Sequence, residues 1–376
     1  MQFKIDISSN RPKYAQMMHK KSANNTASKI TTSIVGARGY SGLELSRLLL
    51  RHPAVSLTHC FATKQFSLTD DLLDSGAEKV ICLSDDQLMS NLTDVVFLAT
   101  PAEVSLKLAP SILAAGKTVI DLSGAFRLKN NDYNKWYNFN HTEPAHLASA
   151  NYGLMPYAGP LKKQNQLIAN PGCYATAVSM ALIPLLKRNL IETNNIVIDA
   201  KSGTTGAGRK ASENLLFSEA SENCLPYKVG QHQHMPEIQE AIEMFSGITI
   251  DPHFSTHLLP VKRGIIAGIY ATAKTTDLNV IENAFAEEYA DYSLVRFGRE
   301  LPKLASLTKV VGTPYTHISY QLVGQKLYVF SVIDNLLKGA ASQAVENLNR
   351  FLDLPLQYAL TTPTSAVTSG PKSVEK

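Results

Sequence analysis

Apolar positions in the first third of the chain fall in short β-rich runs separated by stretches with a helical repeat. Lys29–Val35, Val55–Phe61, Asp94–Ala99 and Thr118–Leu122 read as strands, with Gly42–Arg51 and Glu103–Ala115 as helices between them. That alternation predicts an α/β unit on a parallel sheet. From about residue 173 the pattern changes. A helix over Tyr174–Lys187 and a strand over Asn195–Ala200 precede a loop rich in Gly, Ser and Thr. Phe254–Leu259, Gly264–Lys274, Tyr315–Val323 and Lys326–Val332 then read as strands in mixed or antiparallel pairing. Gly324-Gln325 is the hairpin turn between the last two. A final helix spans Leu336–Leu352. The run Gly264–Ala273 is apolar on both alternating faces, so it needs cover on both sides. Helix Tyr174–Lys187 supplies one cover; a second copy of the chain, or the segment Ile281–Tyr289, supplies the other.

Composition narrows the classes. No run approaches the ~18 consecutive apolar residues of a membrane span. The net charge of +4 sits on residues 1–28, with five basic residues against Asp6, while the rest carries 31 basic and 31 acidic residues. A body of zero net charge is no nucleic-acid platform. Residues 1–28 read as a mobile polar arm, Asp6 and the single Arg11 counting against a transit peptide, and 361–376 as a disordered tail. Cys60, Cys82, Cys173 and Cys224 are widely spaced with no CxxC, which fits free thiols in a reducing, cytoplasmic setting.

The segment Gly36-Ala37-Arg38-Gly39-Tyr40-Ser41-Gly42 follows a strand and opens a helix. Such a turn brings backbone N–H groups to a pyrophosphate at a helix N-terminus, the mark of a dinucleotide-binding Rossmann unit. An NAD site usually carries an acid about 20 residues on. Here no Asp or Glu occurs from Leu45 to Thr69, and Arg38 and Lys64 are the nearby cations. The expectation is NADP(H).

Ala169-Asn170-Pro171-Gly172-Cys173-Tyr174 places a thiol at the start of a helix, where the macrodipole favours thiolate and lowers its pKa. His232 and His234 lie two apart; if that segment is extended, both rings share a face and either is a candidate acid–base. No third ligand lies nearby, so no metal site is expected. The loop Lys201–Lys210 combines Ser202, Gly203, Gly206 and Arg209 in a run suited to holding an anion. Arg127 and Arg263 are further candidates for carboxylate or phosphate, with a surface ion pair as the alternative for each.

The segments ANPGCYATAVSMALIP, GARGYSGLEL, DLSGAFRL, DAKSGTTGAGRK, GQHQHMPEI and VIDNLLKGAASQAVENLN occur in the order found in N-acetyl-γ-glutamyl-phosphate reductases, and the chain resembles that family from about Ile30 to Leu354. It departs at Met155-Pro156-Tyr157, where the family commonly reads YGLPE, and at Gln233, where it often has HRH. The resemblance implies a Rossmann NADP-binding domain over 29–172, completed by 335–357. A catalytic and dimerisation domain with a mixed, largely antiparallel sheet would span 173–334. It implies NADPH-dependent reduction of a small acyl phosphate to a semialdehyde through a Cys173 thioester, in arginine biosynthesis, by a homodimer or homotetramer. One of His232 and His234 would be the acid–base, with His232 favoured. Gly36, Arg38, Gly39, Tyr40, Ser41, Gly42, Ser123, Gly206 and Asn335 would face the cofactor. Arg127, Asn170, Ser202, Gly203, Arg209 and Arg263 would face the substrate. A sister reductase of a carrier-linked aminoadipyl phosphate, and a cofactor sensor on the same scaffold, are the alternatives.

Overall fold

The computed structural model describes residues 29–129, 132–161 and 166–361. The arm 1–28 lies outside the described residues, as does all of the tail beyond residue 361. Two seven-stranded sheets organise the chain. The first contains β1 (Ile30–Val35), β2 (Val55–Ala62), β3 (Ile81–Ser84), β4 (Val95–Leu98), β5 (Thr118–Asp121), β6 (Asn151–Tyr152) and β7 (Leu167–Ala169). Every pairing is parallel, in the order β3-β2-β1-β4-β5-β7-β6. The strand order reverses between β1 and β4, which opens a crevice at their carboxyl ends.

Parallel strands must be covered on both faces. Here Ile34, Phe97 and Ile120 pack on one side with Leu45 and Leu49 of helix α1 (Tyr40–Leu50). Val35, Val96 and Val119 pack on the other with Ala109 and Ile112 of α2 (Ala102–Ala114).

The chain leaves this unit at Pro171-Gly172 and enters α3 (Cys173–Lys187). All residues from Tyr174 to Leu186 are buried, as expected of a helix apolar all round. The second sheet contains β8 (Val197–Ser202), β9 (Leu225–Pro226), β10 (His253–Leu258), β11 (Ile265–Thr272), β12 (Val295–Gly298), β13 (Thr316–Val323) and β14 (Lys326–Ile333). Its order is β12-β13-β14-β11-β8-β10-β9. β8–β10 and β12–β13 are parallel; the other pairs are antiparallel. Its inner face packs Ile198, Ile269 and Val329 against α3, α4 (His234–Ser246) and α5 (Leu278–Glu288). Helix α5 therefore covers the inner face, Phe285 stacking 5.2 Å from Tyr320. On the opposite face Tyr270, Tyr328 and Phe330 form an aromatic cluster, with centroids 5.9 and 6.3 Å from Tyr270.

The chain returns through a π turn, Leu337–Ala341, into α6 (Ser342–Phe351), whose Ala344, Val345 and Leu348 join the core of the first sheet. The expected single helix is thus two pieces. Among the described residues no helix is long and apolar enough to cross a membrane.

Candidate active site

Cys173 is the first residue of α3, after Gly172 in extended conformation with no side-chain cap. The N–H groups of Cys173 and Tyr174 and the charge of Arg127 favour the thiolate, as the helix start requires. Burial outweighs them and pushes the thiol up to about 11, so the expected fall in pKa is not met.

Two glycines let other groups reach this point. A Cβ on Gly172 would stand 2.4 Å from His234 Nε2 and 2.8 Å from Arg127 Nη1. A Cβ on Gly339, in the π turn, would stand 2.6 Å from the Cβ of Cys173. That turn is pinned by Gly339 N–H donating to Asp334 O at 2.9 Å. Beside it, Lys338 Nζ donates to Glu346 Oε1 at 2.8 Å in a buried pair.

The histidines are not on an extended strand. Gln233 is helical, and His234 begins α4. The rings still lie 4.9 Å apart, because His232 turns back and its Nδ1 accepts the His234 backbone N–H at 3.1 Å. A neutral His232 accepting at Nδ1 carries its proton on Nε2. Tyr174, Tyr227 and Phe254 pack edge-on around its ring, with centroids at 5.2, 5.7 and 5.7 Å. Burial holds both imidazoles far below the usual histidine range, with Lys228 adding to the effect on each. Both are therefore neutral at pH 7.

Glu237, one turn along α4 from His234, is a site residue that the sequence pattern does not single out. It is fully buried. Its Oε1 accepts from Gly172 N–H at 2.7 Å and from Tyr152 hydroxyl at 2.9 Å. Its Oε2 lies 3.4 Å from Arg127 Nη1 and 3.9 Å from His234 Nε2. The signal was the helical spacing from His234 to Glu237, visible once His234 starts a helix.

Cys173, Ser202, Gly203, Gly206, Lys228, Gln233, His232 and His234 line one cavity of about 510 Å³. A neighbouring cavity of about 530 Å³ shares Gly206, Lys228 and Gln233. It continues to Thr100, Ser123 and Gly124 at the carboxyl ends of β4 and β5. A wider hollow of about 910 Å³, lined by Pro110, His146 and Asn151, lies apart from all of these groups.

The dinucleotide loop fits its expected ligand. Gly36 has φ +83°, and a Cβ there would meet Ala99 O at 2.4 Å; a Cβ on Gly42 would meet Gly36 O at the same distance. Gly39, Tyr40 and Ser41 bring α1 to its start with no side-chain cap and no acid in the first turn. Its N-terminal N–H groups are thus left for an anion. Just past β2, Thr63, Lys64 and Gln65 are exposed and include no carboxylate. Arg38 lies over the Phe66 ring and pairs with Asp71 at 3.1 Å.

Several expected ligand contacts are spent elsewhere. Arg127 is buried beneath Gly172, donating to Asn170 O at 2.8 Å and Leu122 O at 2.7 Å, and does not line the cavity. Asn170 is wholly buried between Ala340 O and the Asn347 side chain. Arg263 pairs with Asp334 at 2.8 Å and with Glu44 of α1 at 2.9 Å, tying the two sheets' units together. Arg209 reaches the other way, donating to Arg38 O at 2.6 Å and lying over Tyr40. Asn335 accepts Gly264 N–H at 2.7 Å and donates to Thr205 at 3.1 Å, so its side chain braces the Gly-rich loop.

Residues 31–166 match the semialdehyde dehydrogenase NAD binding domain, and residues 173–335 the semialdehyde dehydrogenase dimerisation domain. An N-acetyl-gamma-glutamyl-phosphate reductase of Streptococcus mutans is 43% identical over 324 residues, covering 84% of this chain and 94% of that protein. One of Geobacillus stearothermophilus is 41% identical over 327 residues, covering 85% and 94%. Among solved structures, aspartate semialdehyde dehydrogenase II of Vibrio cholerae superposes with a TM-score of 0.65 at 17% identity, covering 86% of this chain and 98% of that one. With the glycine cradle, the helix-start cysteine and the paired histidines in place, the chain belongs to the N-acetyl-γ-glutamyl-phosphate reductase family.

Proposed function

We propose that this protein reduces N-acetyl-γ-glutamyl phosphate to N-acetylglutamate 5-semialdehyde with NADPH, releasing phosphate, as a step of arginine biosynthesis. The observation that carries the reading is that Cys173 and His234 line one cavity, with His234 Nε2 packed against Gly172, the residue before the thiol, and that this cavity leads to the dinucleotide crevice. The Cys173 thiol gives its proton to a neutral imidazole, and the sulfur attacks the γ-carbonyl carbon. The C–O bond to phosphate breaks, the phosphate leaves with the proton held by the imidazole, and a thioester remains. NADPH, when bound, would supply a hydride to the thioester carbon. The C–S bond would then break, releasing aldehyde and the thiolate, which takes up one proton from solvent. N–H groups at the start of α3 would stabilise the oxyanion.

His234 is favoured over His232 as the acid–base. Its Nε2 faces Gly172 and Glu237, whose charge steadies an imidazolium, and its Nδ1 has no partner. His232 is committed at Nδ1 to capping α4, which leaves its Nε2–H as a hydrogen-bond donor. Gly36, Gly39, Tyr40, Ser41 and Gly42 would hold the pyrophosphate. Arg38 and Lys64, with no carboxylate among the exposed residues Thr63 to Gln65 just past β2, support NADP over NAD. The aromatic face of the second sheet supports pairing of two copies there, in line with the matched dimerisation domain.

The test is phosphate-dependent oxidation of the semialdehyde, run with NADP and NAD and with the aminoadipate analogue beside it. Cys173→Ser loses about three or more orders of magnitude, since a hydroxyl is poorly ionised near neutral pH. Near-normal turnover of that variant, or equal efficiency with NAD, overturns the assignment.

A further inference from the structure

The arginines expected to meet the substrate's negative groups are all engaged. Arg127 faces Glu237, Arg209 the Asp71 carboxylate, and Arg263 both Glu44 and Asp334. Among the described residues, Lys228 is the only Lys or Arg lining either of the two joined cavities, and it lines both. It has no ion-pair partner among the described residues. Its Nζ donates to Gln233 Oε1 at 2.9 Å, a neutral group that orients the ammonium without cancelling its charge.

The backbone at Lys228 is also unusual. Its φ is +45°, in the left-handed region that a residue with a Cβ seldom adopts. Such conformations persist where the surroundings hold them, and they gather at ligand sites. Here the turn lies between β9 and α4, fixed at one side by Gln231 N–H donating to Lys228 O at 3.0 Å and by the His232 cap beyond it. The result is an exposed lysine at the cavity rim, above the two histidines.

We infer that Lys228 recognises the α-carboxylate of the acyl-phosphate substrate, and so sets the enzyme's preference for an amino-acid-derived aldehyde over a simple acylated amino aldehyde. This rests on the substrate reading above. The substrate carries two anionic groups. The phosphate is attached to the carbon that Cys173 attacks, so it lies beside the thiol at the start of α3. The carboxylate lies at the opposite end of the carbon chain, at the rim, where Lys228 stands. A compact ammonium on a flexible stem suits a single carboxylate reached from solvent.

The decisive measurement removes each partner in turn. The full chain and its Lys228→Met and Lys228→Arg variants are assayed in the oxidative direction. The aldehydes are N-acetylglutamate 5-semialdehyde and its descarboxy analogue 4-acetamidobutanal. Wild type should prefer the carboxylated aldehyde by roughly 10- to 100-fold in kcat/KM, the worth of a hydrogen bond to a charged group. Lys228→Met should lose that preference. The readout is the ratio of the two kcat/KM values, in which any change common to both aldehydes cancels, and Lys228→Arg should recover most of the lost preference.

Equal losses on both aldehydes would overturn the inference by assigning Lys228 a general structural part. A raised KM for phosphate with the aldehyde preference intact would overturn it in favour of the phosphoryl group. A wild type that oxidises neither aldehyde with phosphate would remove the substrate reading itself, a result distinct from either.

Discussion

Replacing Gly339 by alanine adds one carbon where Cys173 already stands. The new Cβ would lie 2.6 Å from the Cβ of Cys173, 3.2 Å from its Cα and 3.3 Å from Ile333 Cδ1. Carbon atoms settle at about 3.5–4.0 Å, so about 1 Å of movement must be found. Neither side yields easily. The π turn is held by Asp334 O and the buried Lys338–Glu346 pair, and α3 is buried from Tyr174 to Leu186. Overpacking of this kind costs about 1–3 kcal/mol. A displacement of ~1 Å at a nucleophile costs about 100-fold in turnover. The expected outcome is a lowered urea midpoint, a kcat reduced by about two orders of magnitude, and a changed rate of iodoacetamide labelling at Cys173. Gly159→Ala is the control, because nothing lies within 4 Å of its added carbon. Gly339→Ala with turnover within twofold of wild type and an unchanged midpoint would refute the seating of the nucleophile on the π turn.

His232 and His234 both have folded pKa values below the unfolded value of about 6.5, so their neutral forms contribute stability above that pH which is lost as pH falls. Two such groups steepen the loss by up to about 3 kcal/mol per pH unit, and urea midpoints measured from pH 7.5 to 5 should fall sharply below 6.5; a flat midpoint over that range would show that the rings take up protons in place. Light scattering at micromolar concentration should give at least twice the 41.1 kDa of one chain, and Tyr270→Asp with Phe330→Asp should shift the mass towards one chain; a wild-type mass near 41.1 kDa would exclude the paired assembly.

Where local pattern and local physics coincide, the sequence was legible. The β-branched run Ile30–Val35, the glycine loop after it and the apolar helix after Cys173 need no distant partner to be recognised. The short strands Ile81–Ser84 and Val295–Gly298 were not read, because four residues carry too little periodicity and their pairing is supplied by neighbours far along the chain. Helix α4 was hidden by the reading of His232 to His234 as extended, since capping by a histidine ring leaves no Ser, Thr, Asp or Asn signature. The partners of the arginines were hidden for a different reason. A guanidinium suits a phosphate and a carboxylate side chain equally, and only the fold decides that Glu44, Asp334, Asp71 and Glu237 arrive first. Lys228 was passed over because nothing local distinguishes it; its place at the junction of two cavities comes from the turn that carries it.

The two points where the chain passes between its sheets touch each other. One is Pro171-Gly172, leading to Cys173, and the other is Asp334 to Gly339; the contact between them is Gly339 against Cys173. In mechanical language that contact is a fulcrum. A small rigid rotation of one unit against the other about it would leave the sulfur almost stationary. The same rotation would sweep the rim, where Arg209 meets Arg38 and Asp71 and where Lys228 stands, through a much longer arc. The arrangement separates the part of the site that carries the nucleophile from the rim that such a rotation would move.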